Sequence, residues 1–284
     1  MKPRREIFDS TKIREIKKKK KRILYAKIYL AIFVLIAIFI GLILLSRHNK
    51  VLLDKIDISG NNAIATEDLR QVIDQELAGN YLFFIPQRNI FVYPKRKIER
   101  TIMEKFDRIS DIKIKIDNLK EITVTVMERE GKYLWCGSPE DEGGEKCYFA
   151  DKTGYIFDEA PNFSGNTYFK FYGVFLEPEE KIGEYILPPD EFVRLIKFYE
   201  HAGTVLSPIK LTALEIGDNG DYKFSIEGTG GNIIFKRDND FEKILENLNS
   251  AADAEPLKTD LKLKLKALLY IDLRFDNKVY FKFQ

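Results

Sequence analysis

Cys136 and Cys147 are the only cysteines of the chain, and they flank the turn-rich, acidic residues 137–146 between two short strand-like runs. Two thiols so placed can staple a hairpin in an oxidising compartment. As free thiols they would be small buried groups, and spacing alone leaves both readings open. No second cysteine pair and no neighbouring histidine completes a zinc set. The two histidines are far apart. His48 follows a long apolar run, and His201 lies near the end of an amphipathic pattern beside Gly203, so each reads as a solvated side chain. Gly228-Thr229-Gly230-Gly231 lacks the Gly-Lys-Ser/Thr of a phosphate-binding loop. Asp218-Asn219-Gly220-Asp221 lacks the spaced ligands and closing glutamate of a calcium loop. Neither nucleophile with base nor ligand cluster emerges, so the expectation is a non-enzymatic chain without cofactor, metal or small-molecule substrate.

Binding chemistry is better represented. Asp272 and Arg274 alternate with Ile271 and Leu273, which puts the two charges on one face of a strand. There they can form a charge-assisted pair or hold the following turn, a structural role. Residues 278–284 follow a tight turn; Val279, Phe281 and Phe283 share one face, Tyr280 and Lys282 the other. A last strand with an unpaired edge offers main-chain hydrogen bonds to a partner's strand. The competing reading is a strand closed against its neighbour with its aromatics buried.

The elements that must position these groups can be read from periodicity. Residues 28–45 are uncharged and strongly apolar on every face, which at ~1.5 Å per residue nearly crosses a ~30 Å hydrocarbon core. The run is longer than a signal-peptide core and ends Leu44-Leu45-Ser46-Arg47-His48, not in a small-x-small site, so residues 28–46 read as an uncleaved transmembrane helix contacting lipid. Residues 1–27 hold twelve Lys/Arg against three Asp/Glu, a bias that keeps this arm in the cytoplasm and sends the remainder across. Residues 28–284 hold 34 Lys/Arg against 41 Asp/Glu, which disfavours a nucleic-acid footprint on the exported part.

Residues 51–130 then read β-α-α-β-β. A strand over residues 51–58 is followed by a helix capped by Thr66 and ended by Gly79, a second helix opened by Pro94, and two alternating runs around Ile112, Ile114, Ile116 and Ile122, Val124, Val126. Residues 131–284 are dominated by period-two runs. Two helices interrupt them: one over residues 190–202 ended by Gly203, one over residues 240–249. Residues 250–259 read as a polar connection, followed by Leu261, Leu263 and Leu265 alternating with lysines. The expected class is α+β: one transmembrane helix, a β-α-α-β-β module, and a mostly antiparallel β domain with two or more helices.

Three local patterns sharpen this. Residues 147–157, Cys-Tyr-Phe-Ala-Asp-Lys-Thr-Gly-Tyr-Ile-Phe, carry an aromatic pair, Asp, two spacers, Gly and an apolar residue; residues 222–236 form a hairpin pattern ahead of a helix; residues 270–275 read Tyr-Ile-Asp-Leu-Arg-Phe. With the basic arm and single span, they make the chain resemble the FtsQ/DivIB family of bacterial cell-division proteins over nearly its whole length. The resemblance implies that residues 51–130 form a polypeptide-transport-associated (POTRA) domain and that residues 131–284 form a β domain with a C-terminal partner-binding strand. It also implies partners, the bitopic division proteins FtsB (or DivIC) and FtsL. By position, Phe275, Asn277, Val279, Tyr280, Phe281 and Phe283 would meet them. The implied location is the cytoplasmic (inner) membrane at the division septum, N-terminus inside, where the protein would help control septal peptidoglycan synthesis. The rival readings are a POTRA-containing secretion or transport accessory and an anchored cell-wall enzyme.

Overall fold

A computed structural model of the chain describes residues 10–137, 146–163, 166–173, 181–206, 209–217, 219–275 and 278–284. The acidic stretch expected between the cysteines and Asn277 lie outside the described residues. Among the described residues the fold is α+β, with six α-helices and a mixed sheet. Two compact units emerge, Met1–Ile102 with Ile112–Val126, and Met103–Asp111 with Met127–Gln284.

The first unit begins with α1, Ser10–Ser46, the one helix among the described residues long and apolar enough to cross a membrane. Apart from Ile43, which is partly buried, its leucines, isoleucines and phenylalanines are exposed along the apolar run, so no protein core accounts for them. Strand β1 (Lys55–Ser59) leads to α2 (Thr66–Leu77), the two-residue strands β2 (Asn80–Tyr81) and β3 (Ile85–Pro86), α3 (Lys95–Lys105), and the long strands β4 (Ile109–Asn118) and β5 (Glu121–Glu128). Three strands pair in the order β1-β5-β4, with β1 parallel to β5 and Ile56 opposite Ile122. The helical spacing of Leu69, Val72, Ile73 and Leu77 on α2, and of Ile98 and Ile102 on α3, buries these residues along with Ile56, Ile114, Ile122 and Val124. Thr66 is not the cap of α2. Ala65 holds that position without a side-chain bond, and the Thr66 hydroxyl accepts instead from Asn61 Nδ2 at 2.9 Å.

In the second unit nine strands form one sheet. They are β6 (Tyr133–Trp135), β7 (Cys147–Ala150), β8 (Ile156–Ala160), β9 (Phe169–Gly173), β10 (Leu211–Ile216), β11 (Asp221–Ile226), β12 (Asn232–Lys236), β13 (Leu268–Phe275) and β14 (Lys278–Phe283). Their order is β14-β13-β12-β11-β10-β9-β6-β7-β8. The expected mostly antiparallel sheet is parallel at three joints: β9 with β10, β12 with β13, and β6 with β9. Parallel neighbours need a long crossover. The first two are supplied by α4 (Pro189–Val205) and by α5 (Phe241–Asp253) with α6 (Leu257–Leu263).

The core is strongly aromatic. Phe198 of α4 lies 4.6 Å centroid to centroid from Phe235 and 5.8 Å from Phe224, and Phe171 and Phe192 lie 5.4 Å apart. Phe171, Phe192, Phe224 and Phe235 are all fully buried. Truncating any of them to alanine would cost roughly 3–5 kcal/mol, because the rigid ring leaves a cavity that neighbours fill only partly. A smaller cluster of Leu134, Cys136, Cys147 and Ala160 packs with Phe149, Phe163, Tyr168 and Tyr172.

Two expectations fail for legible reasons. The helix expected to end at Gly203 continues through it to Val205, because Ala202 before it and Leu206 after it are buried and tertiary packing outweighs the glycine penalty. The connection expected over residues 250–259 is largely helical, and so are the leucines that followed it. Leu257, Leu261 and Leu265 are spaced by four; the first is buried and the other two pack half-buried against the aromatic core, while Leu263 is exposed.

Candidate partner-binding site

The hairpin β13–β14 ends the sheet. Ile271 faces Phe281, Asp272 faces Tyr280 and Tyr270 faces Lys282. Gly231, at the start of β12, lets the neighbouring chain approach: a Cβ there would sit 2.6 Å from the Leu268 carbonyl oxygen. Ile271 and Leu273 are buried, and Val279, Phe281 and Phe283 pack half-buried against the core. Tyr280, Lys278 and Lys282 occupy the opposite, exposed face. Phe275 is exposed beside Tyr280, their rings 5.1 Å apart edge to face. The five described candidate residues therefore divide between two faces, Phe275 with Tyr280 on one and Val279, Phe281 and Phe283 on the other.

The backbone of β14 bonds to β13 on one side, and among the described residues no other strand pairs with it. Beside it opens a groove of about 340 Å³, lined by Asn247, Ser250, Ala251, Leu257, Val279 and Phe281 among others. An unpaired strand edge next to a partly apolar groove can take both the main chain and alternate side chains of an extended peptide.

Asp272 and Arg274 fix the end of this hairpin. Arg274 donates from Nε to Asp272 Oδ1 at 2.9 Å and from Nη2 to Oδ2 at 2.6 Å, and from Nη1 to Asp221 Oδ2 at 2.8 Å. One guanidinium thus ties β13 to the start of β11. Burial by itself would push the Asp272 carboxyl up, but the hydrogen bonds from Arg274 outweigh it and hold the carboxyl below its ordinary range. Those same bonds raise Arg274.

A second buried group escaped sequence reasoning. Glu191, in the first turn of α4, accepts from the Tyr222 hydroxyl at 2.5 Å and from Arg237 Nε at 2.6 Å, joining α4 to β11 and to the residue after β12. Burial raises the Tyr222 hydroxyl, and the bond to Glu191 adds to the effect. The partners are 31 and 46 positions apart, so no local pattern marks them.

At the far end of the sheet, the Asp-Lys-Thr-Gly turn is held by Asp151. Its Oδ1 accepts from the Thr153 backbone N–H at 2.7 Å, from the Thr153 hydroxyl at 2.6 Å and from the Tyr155 N–H at 3.2 Å. Gly154 adopts φ +82°, and a Cβ there would lie 2.7 Å from the Phe192 ring, so the turn needs glycine twice over. Arg129 pairs with Asp151, and its guanidinium lies 4.0 Å from the centre of the Tyr155 ring. Cys136 and Cys147 are joined in a disulfide, Sγ–Sγ 2.10 Å, with both residues buried. His48 Nδ1 accepts from the Lys50 N–H, and His201 Nδ1 lies 2.8 Å from the Lys197 carbonyl. Among the described residues no three His, Cys, Asp or Glu side chains gather in a group able to hold a metal.

No sequence model of a known protein family matches the chain, and no curated protein is significantly similar to it.

Proposed function

We propose that this protein is a non-enzymatic, single-pass scaffold of the bacterial cell-division machinery, of the FtsQ/DivIB kind. In this reading residues 51–130 act as a POTRA domain outside the cytoplasmic membrane, and the β domain receives a strand from an FtsB/DivIC-like partner that is itself paired with an FtsL-like protein. The observation that carries the reading is the edge of β14 that no other described strand pairs with, beside its groove. The apolar α1 supports membrane attachment, and the basic residues before it support a cytoplasmic N-terminus. Anchoring partners in one membrane raises their effective concentration, so a modest edge interface suffices.

Removing residues 278–284 from the full-length protein should abolish copurification with an FtsB-like partner while membrane insertion persists. Undiminished recovery would refute docking at β14. A fluorescent fusion should gather at midcell in growing cells. Uniform envelope staining together with copurification of a secretion pore would replace the division assignment by the transport-accessory one.

A further inference from the structure

The loop between β2 and β3 exposes its largest apolar side chains: Leu82 is 79% and Phe83 88% accessible, with Phe84 at 50%. Both Leu82 and Phe83 have positive φ, 47° and 68°, a conformation that bulky residues adopt only when the surroundings enforce it. The Phe84 N–H closes the turn onto the Tyr81 carbonyl at 3.0 Å, and the end of α1 braces it from outside. Arg47, one residue past the helix, donates from Nε to the Phe84 carbonyl at 3.0 Å and from Nη2 to the Phe83 carbonyl at 3.4 Å.

A second tie lies next to the first. Asn89 is buried, donates from Nδ2 to the carbonyl of Ser46, the last helical residue, at 2.8 Å, and accepts from the Phe91 N–H at 2.9 Å. Phe91 is 72% accessible and Val92 is exposed beside it. Two separate turns, each presenting naked apolar side chains, are therefore bonded to Ser46 and Arg47, the two residues that directly follow the apolar run of α1. The eighteen residues 28–45 rise about 27 Å, so the end of α1 falls at the boundary between hydrocarbon and headgroups. Basic Arg47 and Lys50 stand at the same level, where anionic headgroups lie.

We infer that Tyr81–Phe84 and Phe91–Val92 form a membrane-interface anchor, with Leu82, Phe83 and Phe91 seated among the lipid headgroups and upper acyl chains. The inference rests on the reading of α1 as a membrane span and extends it. The span is not a free tether: the folded unit is clamped onto the bilayer surface by side chains that a soluble protein would bury. Exposed rings next to lipid cease to be a solvation penalty, because amphipathic and aromatic groups are favoured in that layer.

The test uses the full chain in liposomes of phosphatidylethanolamine and phosphatidylglycerol. Cys136 and Cys147 are bonded to each other, so a single introduced thiol carries the spin label. Labels go at Leu82→Cys and Phe91→Cys, with Leu44→Cys inside the span and Glu67→Cys, exposed at the start of α2, as references. Collision rates with oxygen and with a water-soluble nickel complex report depth. The expected result is lipid contact at 82 and 91, roughly 5–10 Å into the interface, with an aqueous signal at Glu67→Cys. Aqueous signals at both 82 and 91 with Leu44→Cys in hydrocarbon would overturn the anchor and leave a protein as the occupant of the patch. An aqueous signal at Leu44→Cys would remove the span itself, and the anchor with it.

Discussion

The nine-stranded sheet has two edge strands, and the chain treats them differently. At the start of β8 the outer edge is covered by the chain's own backbone: Ile156 donates its N–H to the Glu184 carbonyl at 2.8 Å, Gly183 donates to the Ile156 carbonyl at 2.9 Å, and Tyr155 forms a bridge with Tyr185. Arg108 adds an ion pair to Asp158. Along β14 nothing comparable lies outside the strand among the described residues, and its outward side chains are two lysines and a tyrosine. An open edge is a liability that folded proteins normally cover. That one edge is partly covered and the other, among the described residues, left open is the contrast that the proposed strand docking would explain.

Each edge has its own ion-pair cluster around a buried aspartate, Asp151 at one and Asp272 at the other, so each can be perturbed separately. Arg129→Ala should produce the largest effect, a loss of roughly 3–5 kcal/mol and a fall in Tm of about 10 °C by calorimetry, because Asp151 would remain buried without its counter-charge. Partner affinity should stay within twofold of wild type. If affinity collapsed while the protein remained folded, the two edges would be coupled and the contrast between them lost.

Asp272→Asn acts at the open end and should cost less, about 2–3 kcal/mol, since Arg274 is a third exposed and keeps Asp221. Here stability and partner affinity should fall together, because the guanidinium holds the hairpin that carries β14. The pH dependence separates a lost charge from a lost contact. The folded-state carboxyl of Asp272 lies below its ordinary value of 3.8, so its stabilisation is full above that value and disappears as pH falls through the depressed one. In thermal melts between pH 7 and pH 2 the Asn variant should therefore lose less stability at the acid end than wild type. Parallel acid limbs would show that Asp272 is not a source of that loss.

Much of this end of the molecule was legible from residue parity. The alternation of Val279, Phe281 and Phe283 against Tyr280 and Lys282 marks two faces, and Asp272 with Arg274 marks a pair, because side chains two apart on a strand share a face. Parity does not say which face meets the core; that depends on α5 and α6, and the leucines of α6 were masked by lysines that mimic a strand. Asp240 was legible as the start of a helix, and it caps α5 by accepting from Glu242 N–H at 3.0 Å. Thr66 was not, because a side chain five residues earlier claims its hydroxyl. The parallel joints and the Glu191–Arg237–Tyr222 group depend on crossovers, whose partners no local spacing reveals.

The exposed pair tests which face of β14 is read. Phe275→Ala combined with Tyr280→Ala should weaken partner binding by about 2 kcal/mol, roughly 30-fold, as for a central aromatic contact. Both rings are about half accessible and pack chiefly on each other, so the same double variant should lose under about 1 kcal/mol of stability. Binding measured by titration calorimetry and unchanged in the double variant would move the contact to the half-buried face and the groove beside α5.

The smallest effect on stability comes from the edge lysines, and it bears most directly on why an open edge is tolerated. Lys278 and Lys282 are exposed on β14 and have no ion pair among the described residues, so Lys278→Thr with Lys282→Thr should change stability by no more than about 0.5 kcal/mol. Two copies of β14 meeting edge to edge would bring four like charges together, a repulsion the double variant removes. Concentration-dependent self-association should then appear in sedimentation velocity, in detergent, for the lysine variant and not for wild type. Glu159→Thr on β8 provides the comparison at the other edge: its side chain is exposed, but the outer backbone bonds of Ile156 at the start of that strand are taken up by Gly183 and Glu184, so loss of this charge should leave the protein monomeric. Equal self-association from both edges would mean that the backbone cover on β8 does not close it, and the open edge of β14 would no longer single it out for a partner.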